Sequence, residues 1–258
     1  MPRLDLTKEA TDLNFDLSLV RATLTPSDLE AVIATWQGRM VNEHVSARVF
    51  AGIIGQMMAA GISAARQESI ATMICDELRH GRLCAAVVLA LGGSPIIDLP
   101  DLPPVPQHED TTPLEGLLRN ILSISCLSET IAVSLISAER LTSGHPLLDS
   151  TLSNILADEV QHARFGWALL EDIKESLSPT LKTRLGDYLI TAFAALRTHE
   201  LAHLPPLPAP SEAAEQAGAC DGNNARALFF DTVHQVIIPR LEEIGIPASA
   251  AWSASLHA

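Results

Sequence analysis

Two short runs carry the residues most able to do chemistry: Asp76-Glu77-Leu78-Arg79-His80 and Asp158-Glu159-Val160-Gln161-His162. Residues three apart on a helix project from one face, so each Glu–His pair can grip a metal ion together. Two further acids stand alone in apolar runs, Glu43 among Met40, Ala47 and Phe50, and Glu129 among Cys126, Ala132, Val133 and Ile136. Neighbours at i±3, i+4 and i+7 mark a core-facing stripe, which turns Glu43 and Glu129 inward. Unpaired carboxylates in a core cost several kcal/mol each even after relaxation. Four glutamates carry −4 and two divalent cations carry +4, so metal binding removes that penalty. Carboxylate oxygens with two imidazoles suit iron or manganese better than the thiolate-rich settings of structural zinc.

The order Glu, ExxH, Glu, ExxH recurs with similar spacing: 34 residues separate Glu43 from Glu77, and 30 separate Glu129 from Glu159. With 17 Glu and 9 His in the chain, chance gives roughly 0.6 ExxH matches, and there are three. Chance explains poorly two matches that are each preceded by Asp and each follow a helix with one inward Glu. The third, His199-Glu200-Leu201-Ala202-His203, fits the HExxH pattern of zinc proteases. Pro205 and Pro206 break the helix directly after it, and Ala209 stands where a third ligand is needed, so it is read as a coincidence at a helix end.

The elements that must position these residues are legible from helix punctuation. Thr25-Pro26-Ser27-Asp28 opens a helix running to about Gly61, and a second runs from about Ser63 to Gly92-Gly93. Five prolines between Pro95 and Pro106 make residues 93–112 a long crossover. Thr112-Pro113-Leu114-Glu115 reads as a capping box for a third helix ending near Gly144, and His145-Pro146 starts a fourth reaching about Leu177. Four helices of roughly 30 residues, each about 45 Å long, therefore form two antiparallel hairpins joined by a long link. Ser178-Pro179 opens a fifth helix to about His203, and a sixth lies near Ala225–Ile244 beyond a loop at 204–224. The last dozen residues read as loosely ordered. The expected organisation is an N-terminal extension (1–27), a four-helix domain (28–177) and a C-terminal helical extension (178–258) packed on it.

Bulk composition agrees. Hydrophobic residues make up 47% of the 258 and aromatics only 4%, which favours helix packing over sheet. The net charge of −14 repels phosphate backbones, so nucleic acid is not an expected partner. Cys75, Cys84, Cys126 and Cys220 form no CxxC pair and read as free thiols of a reducing cytoplasm. Residues 1–20 mix charges without an apolar core, unlike a signal peptide, and the apolar stretches at 45–65 and 82–92 are interrupted or short, so no membrane partner is expected.

The ligand pattern over roughly residues 28–177 resembles the ferritin-like di-iron carboxylate superfamily, whose bundles hold metals with Glu and Glu-x-x-His on facing helices. The Asp-Glu-x-Arg-His form is similar to that of bacterial di-iron monooxygenases. The resemblance implies an all-α, ferritin-like four-helix bundle with two added C-terminal helices. In it Glu43 and His80 would end one iron site, Glu129 and His162 the other, and Glu77 and Glu159 would bridge. Asp76 and Asp158 would accept hydrogen bonds from the ligand imidazoles, fixing their orientation. Two irons are implied, with Mn/Fe or Mn also compatible, and O2 as co-substrate. The expected function is a di-iron oxygenase acting on a small, fairly apolar molecule with an external electron donor; a homodimer is compatible. A ferroxidase or iron-handling protein without organic substrate is the alternative, and a non-enzymatic assembly bundle a third.

Departures narrow the family. The only tyrosine, Tyr188, lies outside the four-helix core, against a radical-storing role. There are no rubredoxin-type cysteine pairs, and Ile155 stands where related N-oxygenases carry a third histidine. Gly166 and Cys84, one turn after His162 and His80, are small enough either to leave room beside the metals or to allow close helix packing.

Overall fold

The computed structural model describes residues 2–101, 103–204, 206 and 208–257, and within them the chain is all-α apart from one two-stranded ribbon. The first long pair is α3 (Pro26–Ala59) and α4 (Ala64–Ala90), after a strand β1 (Arg3–Asp5) and two short helices, α1 (Thr7–Leu13) and α2 (Ser18–Thr23). Thr25 caps α3 by accepting the Asp28 N–H, Ser63 caps α4 through the Arg66 N–H, and Gly61 at φ +70° makes the turn between them. A turn this short leaves two helices in contact along their length only one arrangement, antiparallel.

The crossover is not a free loop. Its residues Ile96–Asp98 form β2, which pairs antiparallel with β1 in the register Arg3↔Asp98, Leu4↔Ile97, Asp5↔Ile96. The N-terminal residues thus pin the link between the two hairpins, and α1 lies against α4.

The second pair begins with α5 (Pro113–Ile121), which passes through a π-helical segment, Leu122–Ser128, into α6 (Glu129–Thr142) and then α7 (Pro146–Ile173). The expected capping box is half realised. Thr112 accepts the Glu115 N–H at 3.3 Å, but the buried Glu115 carboxylate turns to Arg119 (2.8 Å) and Arg184 (2.6 Å). The run Pro113–Thr142 is long and apolar enough to cross a membrane. It also carries buried Glu115 and Glu129, and its α6 part packs along α7.

Beyond α7 and a 3-10 turn (Lys174–Ser176), the chain departs from two added helices. After α8 (Pro179–His203) come α9 (Glu212–Gln216), α10 (Gly222–Thr232), a second π segment (Val233–Ile237), α11 (Ile238–Ile244) and α12 (Ala248–Ser255). Pro239 has no N–H to donate, which removes one helical bond at the second π segment. The tail expected to be loose is α12: Trp252 is 5% exposed and packs edge-on against Phe193 of α8. Its Ala-Ser-rich sequence hides one aromatic anchor, and that anchor sets its order. Pro205, expected to break α8, lies outside the described residues; the helix ends at His203.

The apolar interior divides in two. One cluster gathers Trp36, Met40, Cys84, Leu152 and Ile155 with the N-terminal elements and α9. The other gathers Phe50, Met73, Cys126, Ile131 and Phe165 with α8 and α10–α12. Along α3, α4 and α7 the change from one to the other falls at Glu43, at Glu77–His80 and at Glu159–His162.

Candidate metal centre

All six sequence-derived residues meet in this polar layer. Glu43 of α3, Glu77 and His80 of α4, Glu129 at the start of α6, and Glu159 and His162 of α7 are all buried, none more than 7% exposed. Their donor atoms fall into two groups of four, Glu43–Glu77–His80–Glu159 and Glu77–Glu129–Glu159–His162, with the atoms of each within 4.8 Å of one another. Glu77 and Glu159 belong to both.

Each imidazole presents Nδ1 to the carboxylates. His80 Nδ1 lies 3.2 Å from Glu43 Oε2 and 3.3 Å from Glu159 Oε1; His162 Nδ1 lies 3.0 Å from Glu77 Oε1 and 3.2 Å from Glu159 Oε2. The Nε2 atoms point outward to the aspartates, and they cross: His80 of α4 donates to Asp158 of α7 at 3.0 Å, while His162 of α7 faces Asp76 of α4 at 3.5 Å. Arg79 joins the aspartates, lying 3.0 Å from Asp76 Oδ1 and pairing with Asp158 Oδ2.

The donor set fits cations on two counts. First, Glu77 Oε1 is buried without a hydrogen bond, because its approach to His162 Nδ1 is close but poorly directed. An orphaned buried carboxylate oxygen is expensive unless something cationic meets it. Second, the crowding of buried acids and imidazoles raises their affinity for positive charge. Burial, then the charges of Glu159 and Glu43, push Glu77 up to about 11. Burial and the same crowding raise Glu129 well above the carboxylate range. Burial acts to lower His80, but its bonds to Glu159 and Glu43 outweigh that and hold it up to about 11, and His162 is raised in the same sense. Burial acts to raise Glu159, yet hydrogen bonds from His162 and His80 hold it below its ordinary value. Carboxylates and imidazoles whose proton affinity is raised by crowding in this way are donors for which a divalent metal competes with protons.

Neighbouring elements fix the layer. The π segment ends on Glu129, whose N–H bonds five residues back to Ile124, and π turns inside α-helices recur at functional sites. Ser125 within it donates to the His162 carbonyl at 2.6 Å, tying the π turn to α7. Phe50 meets the His162 ring edge-on, 5.6 Å between centroids. At Gly166 a Cβ would sit 2.5 Å from Ser125 Cβ and 2.9 Å from Cys126 Sγ, so the glycine serves close packing of α7 on the π segment, and no room is left there. Cys84 is buried, and burial, then Glu43, keep its thiol protonated. Ile155 is a core residue. Tyr188 on α8 bonds Ser123 Oγ at 2.7 Å, within the π segment but six residues before Glu129.

Sequence reasoning assigned no role to Arg79 or Ser125 and did not foresee the crossing of the aspartates. Arg79 had a signal, its place inside the first motif where the second has Gln161. Ser125 had none, because only the altered register of a π turn aims it at α7. Two surface cavities of about 220 and 230 Å³ lie beside Leu19 and His145, and beside Gln56 and His108; neither is lined by any of the six.

No protein-family model matches this chain, and no curated protein is a detectable relative.

Proposed function

We propose that the chain is a ferritin-like bundle holding two iron ions, Mn/Fe or Mn being compatible, and that it is an oxygenase acting on a small, fairly apolar organic molecule. The observation that carries the reading is the pair of four-donor groups sharing Glu77 and Glu159. Glu43 and His80 would complete one ion's set, and Glu129 and His162 the other's. Two such ions, when bound, would supply the redox chemistry for activating O2, with an external electron donor. The chain's own residues do the rest. Asp158 accepts a hydrogen bond from His80 Nε2 and Asp76 stands 3.5 Å from His162 Nε2, which would leave each Nδ1 lone pair for a cation. Arg79 contacts both aspartates and holds them in place. The two apolar clusters on either side of the layer exclude water and strengthen every electrostatic contact inside it.

Four unpaired thiols fit a reducing compartment such as the cytoplasm. The test is anaerobic loading with Fe(II), metal analysis, and exposure to one O2 pulse with a panel of small aromatic and aliphatic compounds. The reading expects two irons per chain and O2 uptake coupled to one oxidised product. Iron accumulating at many equivalents per chain would show an iron-handling protein instead, and absence of bound iron and manganese would leave only an assembly role.

A further inference from the structure

Away from the carboxylate layer, the last turns of α8 carry two imidazoles that the proposed function does not use. His199 and His203 are both exposed and stand four residues apart, so their side chains share one face. Their ring centroids are 4.4 Å apart. The His203 Nδ1 lies 2.8 Å from the His199 carbonyl oxygen. A carbonyl can only accept, so Nδ1 carries the proton, and in the neutral ring Nε2 presents its lone pair outward. This is the arrangement by which protein imidazoles are readied for metals, with one nitrogen tied to a backbone oxygen and the other free.

We propose that His199 and His203 form a bidentate imidazole site for a divalent transition ion such as Ni²⁺, Cu²⁺ or Zn²⁺, separate from the carboxylate cluster. Two nitrogen donors select this class over Mg²⁺ or Ca²⁺, which take oxygen ligands. Among the described residues no third histidine, cysteine or carboxylate converges with the pair. The remaining positions on the ion therefore belong to water or a ligand from solution, unlike a closed structural zinc site. An ion held at i and i+4 staples the final turn of α8. Arg226 already ties that end to α10 by donating to the Leu204 carbonyl at 2.9 Å. The bound ion fixes the point from which the chain leaves for α9.

The pair is exposed, so substitution there leaves the core intact. The experiment titrates the full-length, untagged protein with Ni²⁺ by calorimetry, comparing wild type with His199→Gln, His203→Gln and the double variant. Ni²⁺ entering the carboxylate cluster is common to all four and cancels. One binding event should weaken at least about tenfold in each single variant and no further in the double, because a chelate is lost whole when either arm goes. In parallel, the ring resonances of His199 and His203 should broaden together at substoichiometric Ni²⁺, ahead of the other seven histidines. Unchanged binding in the single variants, or two losses that simply add, would overturn the chelate.

Discussion

The two halves of the carboxylate cluster are written in nearly the same five letters, yet their surroundings differ. In the α4 half His80 has both ring nitrogens engaged, with Asp158 at 3.0 Å and Glu43 at 3.2 Å. In the α7 half His162 Nε2 is buried without a hydrogen bond, its aspartate standing off at 3.5 Å. The two acids shared by both donor groups diverge as well: burial and neighbouring carboxylates push Glu77 up to about 11, while Glu159 is held below its ordinary value by two imidazoles. One cause is the residue that follows the apolar position in each motif. The first motif supplies an arginine and the second a glutamine at the same place, and the single guanidinium of Arg79 draws Asp158 inward from α7 while sitting beside Asp76 on its own helix. A pattern repeated in sequence need not give equivalent surroundings, because one position outside the six clustered residues decides how firmly each imidazole is held.

The sharpest way to break this comparison is to remove a shared acid. Glu77→Gln or Glu159→Gln should cut bound metal from two ions to fewer than one per chain, whereas Glu43→Gln or Glu129→Gln should leave about one; metal analysis of the purified variants separates the outcomes. Retention of both ions in Glu159→Gln would mean the halves are not joined through it.

Next in size is the effect of the aspartates. Loss of such an outer partner lowers metal affinity about 10–100-fold. Asp158→Asn should fall at the upper end, since it touches both His80 and Arg79, and Asp76→Asn at the lower. Competition against a chelator of known affinity measures both, and a larger loss from Asp76→Asn would reverse the ranking of the halves. Arg79→Gln should weaken both ions by a smaller factor, roughly threefold to tenfold given its partial exposure. Adding Gln161→Arg to that variant should recover much of the loss at the α7 ion, and failure to do so would show that position 161 is not the origin of the asymmetry.

The smallest signal is protonic. Loading the two ions should expel about three protons or more, from Glu77, Glu129 and the imidazoles, read as a buffer-dependent heat of binding. Release of fewer than about two would mean that the carboxyls are already ionised before any metal arrives.

The elements were legible wherever punctuation was local. Thr25-Pro26, Ser63, Thr112-Pro113 and Ser178-Pro179 each begin a helix where the sequence says so, because an N-cap and a proline at the first turn act on their own neighbours. The six clustered residues were legible for the same reason: i+3 spacing and an apolar stripe are properties of one helix at a time. What escaped depends on contacts across the fold. Nothing in Ile96-Ile97-Asp98 declares a strand until Arg3–Asp5 lies beside it. The order of α12 rests on Trp252 reaching Phe193, 59 residues earlier in the chain. The crossing of the aspartates belongs to neither motif alone, only to the way α4 and α7 face each other.

The π turn before Glu129 carries a consequence for any shortened version of this chain. A π-helical stretch takes in a residue that an α-helix would not need. Deleting one position between Leu122 and Ser128 would let the run relax to an ordinary α-helix and leave the residues after it close to their present face, because the π turn had absorbed that one residue. Glu129 would then stay near the face it shares with α7, while the register that aims Ser125 at the His162 carbonyl would be gone, and the acid layer would lose a brace rather than a member.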